Sequence, residues 1–528
     1  MKQKIFSISS LLSLLAVSAL TIGCASEFDN STPAGEKPEA VAEAEYLASY
    51  MTLVSYVDAA SFHLGNTLAS TDIDQGTVVS SLTTSNFNEV FIPDLYIHNK
   101  QVDDEGNIDT LAASSLVKDV SATGINIFAP ALCASTNLNT NYLEALIAPE
   151  TVEEPEVTGS DVIDFESDDL GKTYPLQKAT GDEGKGTAVV ENDPAGESGH
   201  VVHVTKTNQS FPAIKIKFPA GRKLGDYTDL VIDFYPKNAT ALNQKIFCGM
   251  GGKNAEFKSA AEYGCKLNSW NRGVVSIPLA ALAFSDDQNL QTEVTIVIGP
   301  KLLNCDYYID NITLVYKYCP TYEVEKTPEE KFMIIGGSLS EYIKACMESA
   351  PAVKSWTVAD CPVTSSPDLI WKQTLGETYF AYAAQKMREI RGDATLFVSE
   401  YLADPAVRAE FLRLLTADAV GMDQINGIDI MVSITDPFDA NAFTTMLKEV
   451  AATGKLVRLT IQNIGGSDAD AAVALGLAVS AYKKQVPAQQ QYGITFGTVV
   501  ETATNAGLWT TGFNRKVTYA SCAEALQM

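Results

Sequence analysis

The middle of the chain differs from both flanks in its hydrophobic period, and this difference constrains the fold more than any other feature. From about Asp161 to Lys317, short segments alternate apolar and polar residues, as in Ala213-Ile214-Lys215-Ile216, and Gly- and Asp-rich turns separate them. Alternation with a period of two and frequent turns indicates an all-β sandwich. The flanking sequences alternate helical and strand periods, which is typical of βα units. The pattern therefore predicts an α/β domain interrupted by an inserted all-β domain.

Composition places the domain boundaries. Acidic, proline-bearing stretches at residues 150–156 and 320–328 are interpreted as linkers on either side of the insert. The predicted domains are a signal peptide at 1–23, a tether at 24–40, α/β pieces at 41–150 and 329–528, and the β domain at 158–318. The two α/β pieces are together long enough for a (β/α)8 barrel, which typically needs about 250 residues.

The amino terminus carries an export signal. Lys2 and Lys4 precede an apolar stretch that ends at Thr21-Ile22-Gly23-Cys24, where a lipoprotein cleavage motif would lie. This stretch is too short and too rich in serine for a transmembrane helix. We expect cleavage before Cys24 and lipidation of its thiol. The alternative is a plain signal peptide followed by an incidental cysteine.

Charge and cysteine usage exclude several functions. The formal net charge is −27, and such a surface repels phosphate backbones and anionic headgroups, so we expect no nucleic-acid partner. Membrane contact is expected only through the lipid anchor. The remaining cysteines form no C-x-x-C pair and the four histidines are not spaced for zinc. Export permits disulfides, but the sequence does not choose among their pairings.

A series of fragments resembles the family 10 glycoside hydrolases, chiefly endo-β-1,4-xylanases. Residues 353–361 resemble V-x-S-W-D-V-V-N-E, residues 395–401 resemble K-L-F-x-N-D-Y, and residues 453–460 resemble the run into T-E-L-D. Each fragment is weak alone, but their order and spacing agree. The resemblance implies a TIM barrel with a jelly-roll carbohydrate-binding module inserted after the third strand. The sequence around Cys24 is similar to lipoproteins of the Bacteroides group, which implies an outer-membrane, cell-surface location.

That family uses one carboxylate as acid/base and one as nucleophile. The matching positions here hold Cys361 and Ile461, and no acidic residue lies between Glu449 and Asp468. A slip of one residue would offer Asp360 as the acid, but it would turn that side chain to the opposite face of the strand. The family's substrate-holding motifs are also replaced at several loops. The sequence therefore predicts that no catalytic residue remains.

Other residues are candidates for binding. The polar residues predicted to line a cleft, with structural or solvated roles as the alternative, are Asp360, Glu400 and Glu501. The aromatic residues predicted to stack on sugar rings, with core packing as the alternative, are Tyr235, Tyr263 and Trp270. The carboxylates that the resemblance implies for a structural calcium, with exposed turns as the alternative, are Asp164, Glu166 and Asp310.

The expected function is that of a non-catalytic surface lipoprotein that binds a xylan-type glycan. A second hypothesis is an active glycoside hydrolase with relocated catalytic residues. A third is a structural or protein-binding scaffold without sugar affinity.

Overall fold

The computed structural model describes residues 39–177, 186–197, 199–205, 213–219, 222–301 and 304–528. The predicted signal peptide, Cys24 and nearly all of the tether lie outside the described residues. The chain divides into two compact units, one of residues 149–325 and one of the flanking residues. No helix in the described ranges is long and apolar enough to cross a membrane.

The described part of the first flanking piece, residues 39–148, contains three strands and six α-helices. The helices are α1 (Glu39–Ala48), α2 (Ser70–Gln75), α3 (Val78–Asn86), α4 (His98–Gln101), α5 (Leu111–Ser121) and α6 (Thr140–Ile147). The strands are β1 (His63–Thr67), β2 (Glu89–Phe91) and β3 (Asn126–Ala129). Residues 110–123 have a helical hydrophobic period in the sequence, and α5 lies within them. The sequence also predicts a helix over residues 42–57, but α1 ends at Ala48 and only a 3-10 turn, Leu53–Tyr56, follows it.

The inserted unit consists mainly of strands. They are β4 (Glu150–Glu153), β5 (Val157–Ile163), β6 (Leu176–Gln177), β7 (Thr187–Asn192), β8 (His200–Thr205), β9 (Ala213–Pro219), β10 (Tyr227–Pro236), β11 (Lys245–Met250), β12 (Lys253–Ser259), β13 (Asn271–Pro278), β14 (Glu293–Pro300), β15 (Tyr307–Tyr318) and β16 (Thr321–Val324). Two short helices, α7 (Ala239–Asn243) and α8 (Asp286–Asn289), lie between them.

The second piece of the flanking unit alternates helices and strands. They are α9 (Pro328–Ser349), β17 (Ser355–Asp360), α10 (Ile370–Leu375), α11 (Tyr379–Ile390), β18 (Thr395–Tyr401), α12 (Pro405–Leu415), β19 (Gly427–Ile434), α13 (Ala440–Ala451), β20 (Leu456–Ile464), α14 (Asp468–Gln485), β21 (Gln491–Phe496) and α15 (Val517–Leu526).

Local sequence explains where these helices begin. The Thr327 side chain caps α9, Glu330 completes a capping box with it, and Pro328 occupies the first turn. At α12 the Asp404 carboxylate accepts two backbone N–H groups, and Pro405 follows. Such residues satisfy amide groups that have no partner within the helix. The capping residues therefore fix the starts of α9 and α12 at Pro328 and Pro405.

The flanking unit is a closed barrel. Its eight strands follow the order β1-β2-β3-β17-β18-β19-β20-β21, and β1 pairs in parallel with both β2 and β21. Outward-facing side chains of the strands pack with the helices in one large core. The predicted α/β barrel is confirmed at this level.

The described residues of the inserted unit form two large antiparallel sheets and a two-stranded ribbon. One has the order β13-β10-β15-β8-β7 with β5 also paired to β15, and the other has the order β12-β11-β14-β9-β6. Apolar residues from both sheets share one core, including Ile232 and Leu314 from the first and Ile214 and Ile296 from the second. Each of the two stretches predicted as linkers contains a strand. These strands, β4 and β16, pair with each other in an antiparallel ribbon.

Candidate functional site

A cavity of about 280 Å³ opens at the carboxyl ends of the barrel strands. Its lining comes from β2, β3, β17, β18, β19 and β20 or the loops after them. In (β/α)8 barrels this end of the strands carries the chemistry, so the cavity is the candidate site. Larger grooves lie elsewhere among the described residues, including one between α1 and the loop before α15 and one beside β5.

The floor of the cavity is a buried ion pair. Arg458 Nη1 lies 2.7 Å from Asp429 Oδ2, and it also donates to Thr460 Oγ1 at 3.0 Å. The hydroxyls of Ser399 and Thr460 donate to Asp429 at 3.1 and 2.6 Å. Arg458 Nη2 donates to Thr495 Oγ1 at 2.8 Å. Both oxygens of Asp429 are therefore occupied by protein donors.

This ionic network continues below the floor. Arg458 Nε lies 3.8 Å from Glu89 Oε1, and Glu89 Oε2 accepts the Tyr492 hydroxyl at 2.6 Å. His63 Nδ1 lies 3.2 Å from the same carboxylate, and the Arg458 guanidinium covers the Phe128 ring at 3.7 Å. Burial raises the pKa of Glu89, while Arg458 and His63 oppose that shift. A barrel interior is usually filled by branched apolar side chains, so this charged column is a departure from the pattern.

Asp360 lines the cavity, contrary to the expectation from strand alternation. The pairing of β17 with β18 shifts register between Thr357 and Ala359, and such a bulge moves the following side chain to the other face. The Asp360 carboxylate accepts the Ser135 backbone N–H at 2.7 Å and the Ser135 hydroxyl at 3.0 Å. Burial raises the pKa of Asp360.

Cys361 follows Asp360 with a left-handed backbone, at φ 51°. Its N–H donates to the Ser399 carbonyl at 2.8 Å, and its side chain is half-buried but is not part of the cavity lining. Burial, with Asp360 and Glu400 nearby, raises the pKa of the Cys361 thiol to about 12. All eight cysteines in the described part of the chain are free.

Ile461, the residue matched to the family's nucleophile, does not line the cavity. Ile461 is 1% exposed and packs in the core between strands and helices. Its neighbours Thr460 and Gln462 line the cavity, because side chains alternate along β20. Thr460, which faces the cavity next to Ile461, is neutral. Whichever of the two residues is matched to the nucleophile, the position therefore holds no carboxylate.

The other two residues predicted to line the cleft lie outside the cavity lining. Glu400 is fully buried and accepts backbone N–H groups of Val363, Thr364 and Tyr401. Glu501 pairs with Lys516 at 2.5 Å, and this contact lowers the pKa of Glu501. Both carboxylates therefore brace loops.

The cavity also presents neutral polar groups that the sequence interpretation missed. His98 Nδ1 accepts the Asn139 N–H at 3.1 Å, so the neutral ring carries its proton on Nε2. Burial lowers the pKa of His98 to about 4, which keeps the ring neutral. Among the described residues, the side chains of Thr357 and Gln462 have no hydrogen-bond partner, and both line the cavity. On β20 the signal was visible, since polar residues alternate with Leu459 and Ile461 there.

The aromatic candidates of the inserted unit separate into two groups. Tyr235 and Trp270 form an edge-to-face pair at 5.5 Å, and Tyr308 extends it at 5.6 Å from Tyr235. Trp270 Nε1 donates to Asp193 at 2.8 Å, and Arg272 lies 5.0 Å above the Trp270 ring. Tyr263 instead packs against the sandwich core.

The three carboxylates implied for calcium do not form one oxygen cage. Glu166 accepts the N–H groups of Gly199 and His200, both at 3.1 Å, and Asp164 accepts the N–H of Glu166. Asp310 lies 3.7 Å from Arg272 Nη1. In the described ranges no group of three or more His, Cys, Asp or Glu side chains is arranged to hold a metal. Calcium binding by Asp164, Glu166 and Asp310 therefore remains a prediction of the resemblance alone.

Together, the closed barrel of eight parallel strands and the cavity at its carboxyl end define a (β/α)8, or TIM-barrel, protein. Residues 313–522 match the family model described as Glycosyl hydrolase family 10. This match includes β17 to β21, so this part of the chain is similar to the family 10 glycosyl hydrolases. No curated protein matches the sequence.

Solved xylanases are similar to the chain at low identity. The intracellular xylanase TsXylA of Thermoanaerobacterium saccharolyticum is 11% identical, with a TM-score of 0.46 over 90% of this chain and 98% of that one. Xylanase B of Clostridium stercorarium F9 is 12% identical, with a TM-score of 0.44 over 90% of this chain and 100% of that one. The xylanase XynB of Paenibacillus barcinonensis is 10% identical, with a TM-score of 0.45 over 90% and 98%.

Proposed function

We propose that this protein is a cell-surface lipoprotein that binds a neutral, xylan-type glycan without hydrolysing it. One observation carries the lack of hydrolysis: the described residues that line the cavity include no pair of free carboxylates. Asp429 is saturated by Arg458 and two hydroxyls, and Asp360 is held by both donors of Ser135.

The chemistry of retaining hydrolysis supports the same conclusion. It needs an anionic nucleophile about 5–5.5 Å from a second carboxyl group. Thr460 offers only a hydroxyl, and Cys361, at the family's acid/base position, has a thiol pKa of about 12. General acid catalysis contributes about 10²–10⁴-fold in rate, and loss of the nucleophile removes the covalent route altogether.

The lipid anchor at Cys24 and an outer-membrane location belong to this proposal, as does sugar binding by the inserted unit. The Tyr235 and Trp270 pair supports the last point, because aromatic side chains supply apolar faces and ring edges to ligands. The net charge of −27 favours a neutral glycan over an anionic one.

The first test measures hydrolysis and binding on the same preparation. We expect xylan in the gel to slow the migration of the chain without residues 1–23 in affinity electrophoresis. We also expect this chain to release no reducing ends from xylan over a long incubation. Turnover that disappears in Asp360→Asn would instead establish a relocated active site, since Asp360 lines the cavity and has no ionic partner among the described residues. Absence of binding across a glycan array would favour a scaffold.

A further inference from the structure

We infer that the barrel cavity receives a single neutral sugar ring at a chain end, and not the interior of a glycan chain. This inference rests on the proposed glycan binding and specifies the ligand that the cavity takes. It is carried by the cavity's size, by the state of its charges and by its free polar groups.

The size of the cavity sets the first limit. Pockets for drug-sized ligands have volumes of about 300–1,000 Å³, and this one has about 280 Å³. Pro93, Pro130 and Met431 contribute to its lining, so apolar side chains that cannot donate hydrogen bonds form part of the wall. A ligand larger than one ring has to extend out of the cavity into solvent.

The floor sets the second limit. Arg458 is 1% exposed, and its Nη1 and Nη2 atoms already donate to Asp429, Thr460 and Thr495. The positive charge of Arg458 is therefore already paired with Asp429, and a ligand also meets the carboxyl group of Asp360. An anionic sugar would lose its hydration there without gaining a counter-charge.

The remaining polar groups match a neutral polyol. His98 presents an Nε2–H donor, Thr357 a hydroxyl and Gln462 both an amide donor and an acceptor. A site built to hydrogen-bond ring hydroxyls discriminates strongly, because a ligand without them leaves buried groups unpaired. These three residues are therefore the specificity-determining groups of the cavity.

The test is calorimetric titration of the chain from residue 24 with xylose, xylobiose, xylotetraose and xylohexaose. If one ring is held, the molar Kd stays within about twofold from xylobiose to xylohexaose. Thr357→Val should weaken this binding about threefold to tenfold, the equivalent of one hydrogen bond. The matched control Thr445→Val, at an exposed site on α13, should leave it unchanged.

Results that differ from these expectations distinguish a failure of this inference from a failure of the proposed function. Affinity that rises with every added ring and falls in Thr357→Val would mean a chain-binding cleft, and would overturn this inference alone. Binding that ignores Thr357→Val would place the ligand elsewhere and also overturn it. No binding of oligosaccharides or of xylan would overturn the proposed function with it. Glucuronic acid, as the anionic probe, should bind at least tenfold more weakly than xylose, and equal affinity would contradict the charge argument.

Discussion

At the scale of single residues, Arg458 is the side chain whose removal should cost the barrel most. Among the described lysines and arginines, Arg458 alone pairs with Glu89 and Asp429, and all three side chains are almost fully buried. Removing one partner of a buried ion pair leaves an uncompensated charge, which typically costs about 3–5 kcal/mol. We predict a loss of that size in the unfolding free energy of Arg458→Met, measured by urea denaturation.

Two comparisons make this prediction specific. Asp429→Asn added to Arg458→Met should recover part of the loss, because it removes one stranded charge. Arg413→Met should change the unfolding free energy by less than about 0.5 kcal/mol, since that arginine is exposed beside Glu410. An Arg458→Met variant as stable as the wild type would show that the ionic column adds nothing to stability.

His98 gives the barrel a sensitivity to acid. Its pKa is lowered from 6.5 to about 4 by burial, so the folded state binds fewer protons than the unfolded state in that window. The associated stability is complete above pH 6.5 and is lost as the pH falls towards 4. We predict that the wild type loses about 2.5 kcal/mol more than His98→Gln between pH 7.5 and 4.5, measured as unfolding free energies. His200→Gln, in the inserted unit, is the control, and equal pH slopes for wild type and His98→Gln would refute the argument.

At the scale of elements, period and composition predicted the βα alternation, the strands of the insert and α5 closely, because each depends on local hydrophobic pattern. They did not predict which way Asp360 points, since a bulge in β17 depends on pairing with β18. Pairing of β4 with β16 was equally invisible, because residues 150–153 and 321–324 are distant in sequence. For the same reason, the sequence alone did not show that Thr460 faces the cavity and Ile461 faces the core. That assignment depends on how β20 pairs with its neighbours.

The β4–β16 ribbon lies where the inserted unit joins the barrel, and we predict that the inserted unit can be removed there. Lys326 Nζ donates to the Ala148 carbonyl at 2.5 Å, so the two ends of the flanking unit lie close together. Replacing residues 149–325 by a short Gly-Ser linker should therefore close the barrel without strain. We expect the excised protein to unfold cooperatively and to keep a native near-ultraviolet circular dichroism spectrum. The same linker placed instead of residues 353–361 removes β17 and should abolish folding, and a similar collapse after excision of 149–325 would show that the barrel needs the insert.

At the scale of the whole molecule, attachment to a membrane should depend on one side chain, the thiol of Cys24. No helix among the described residues can span a bilayer, and the net charge of −27 opposes adsorption to anionic headgroups. We predict that Cys24→Ala moves the protein from the membrane fraction to the soluble fraction, or leaves it unprocessed at its higher mass. Cys319→Ala is the matched control, because Cys319 is the exposed free cysteine of the described residues, and its loss should not alter fractionation. If Cys24→Ala stayed in the membrane fraction at the processed mass, a second attachment would have to exist, and the lipid anchor would not explain the location.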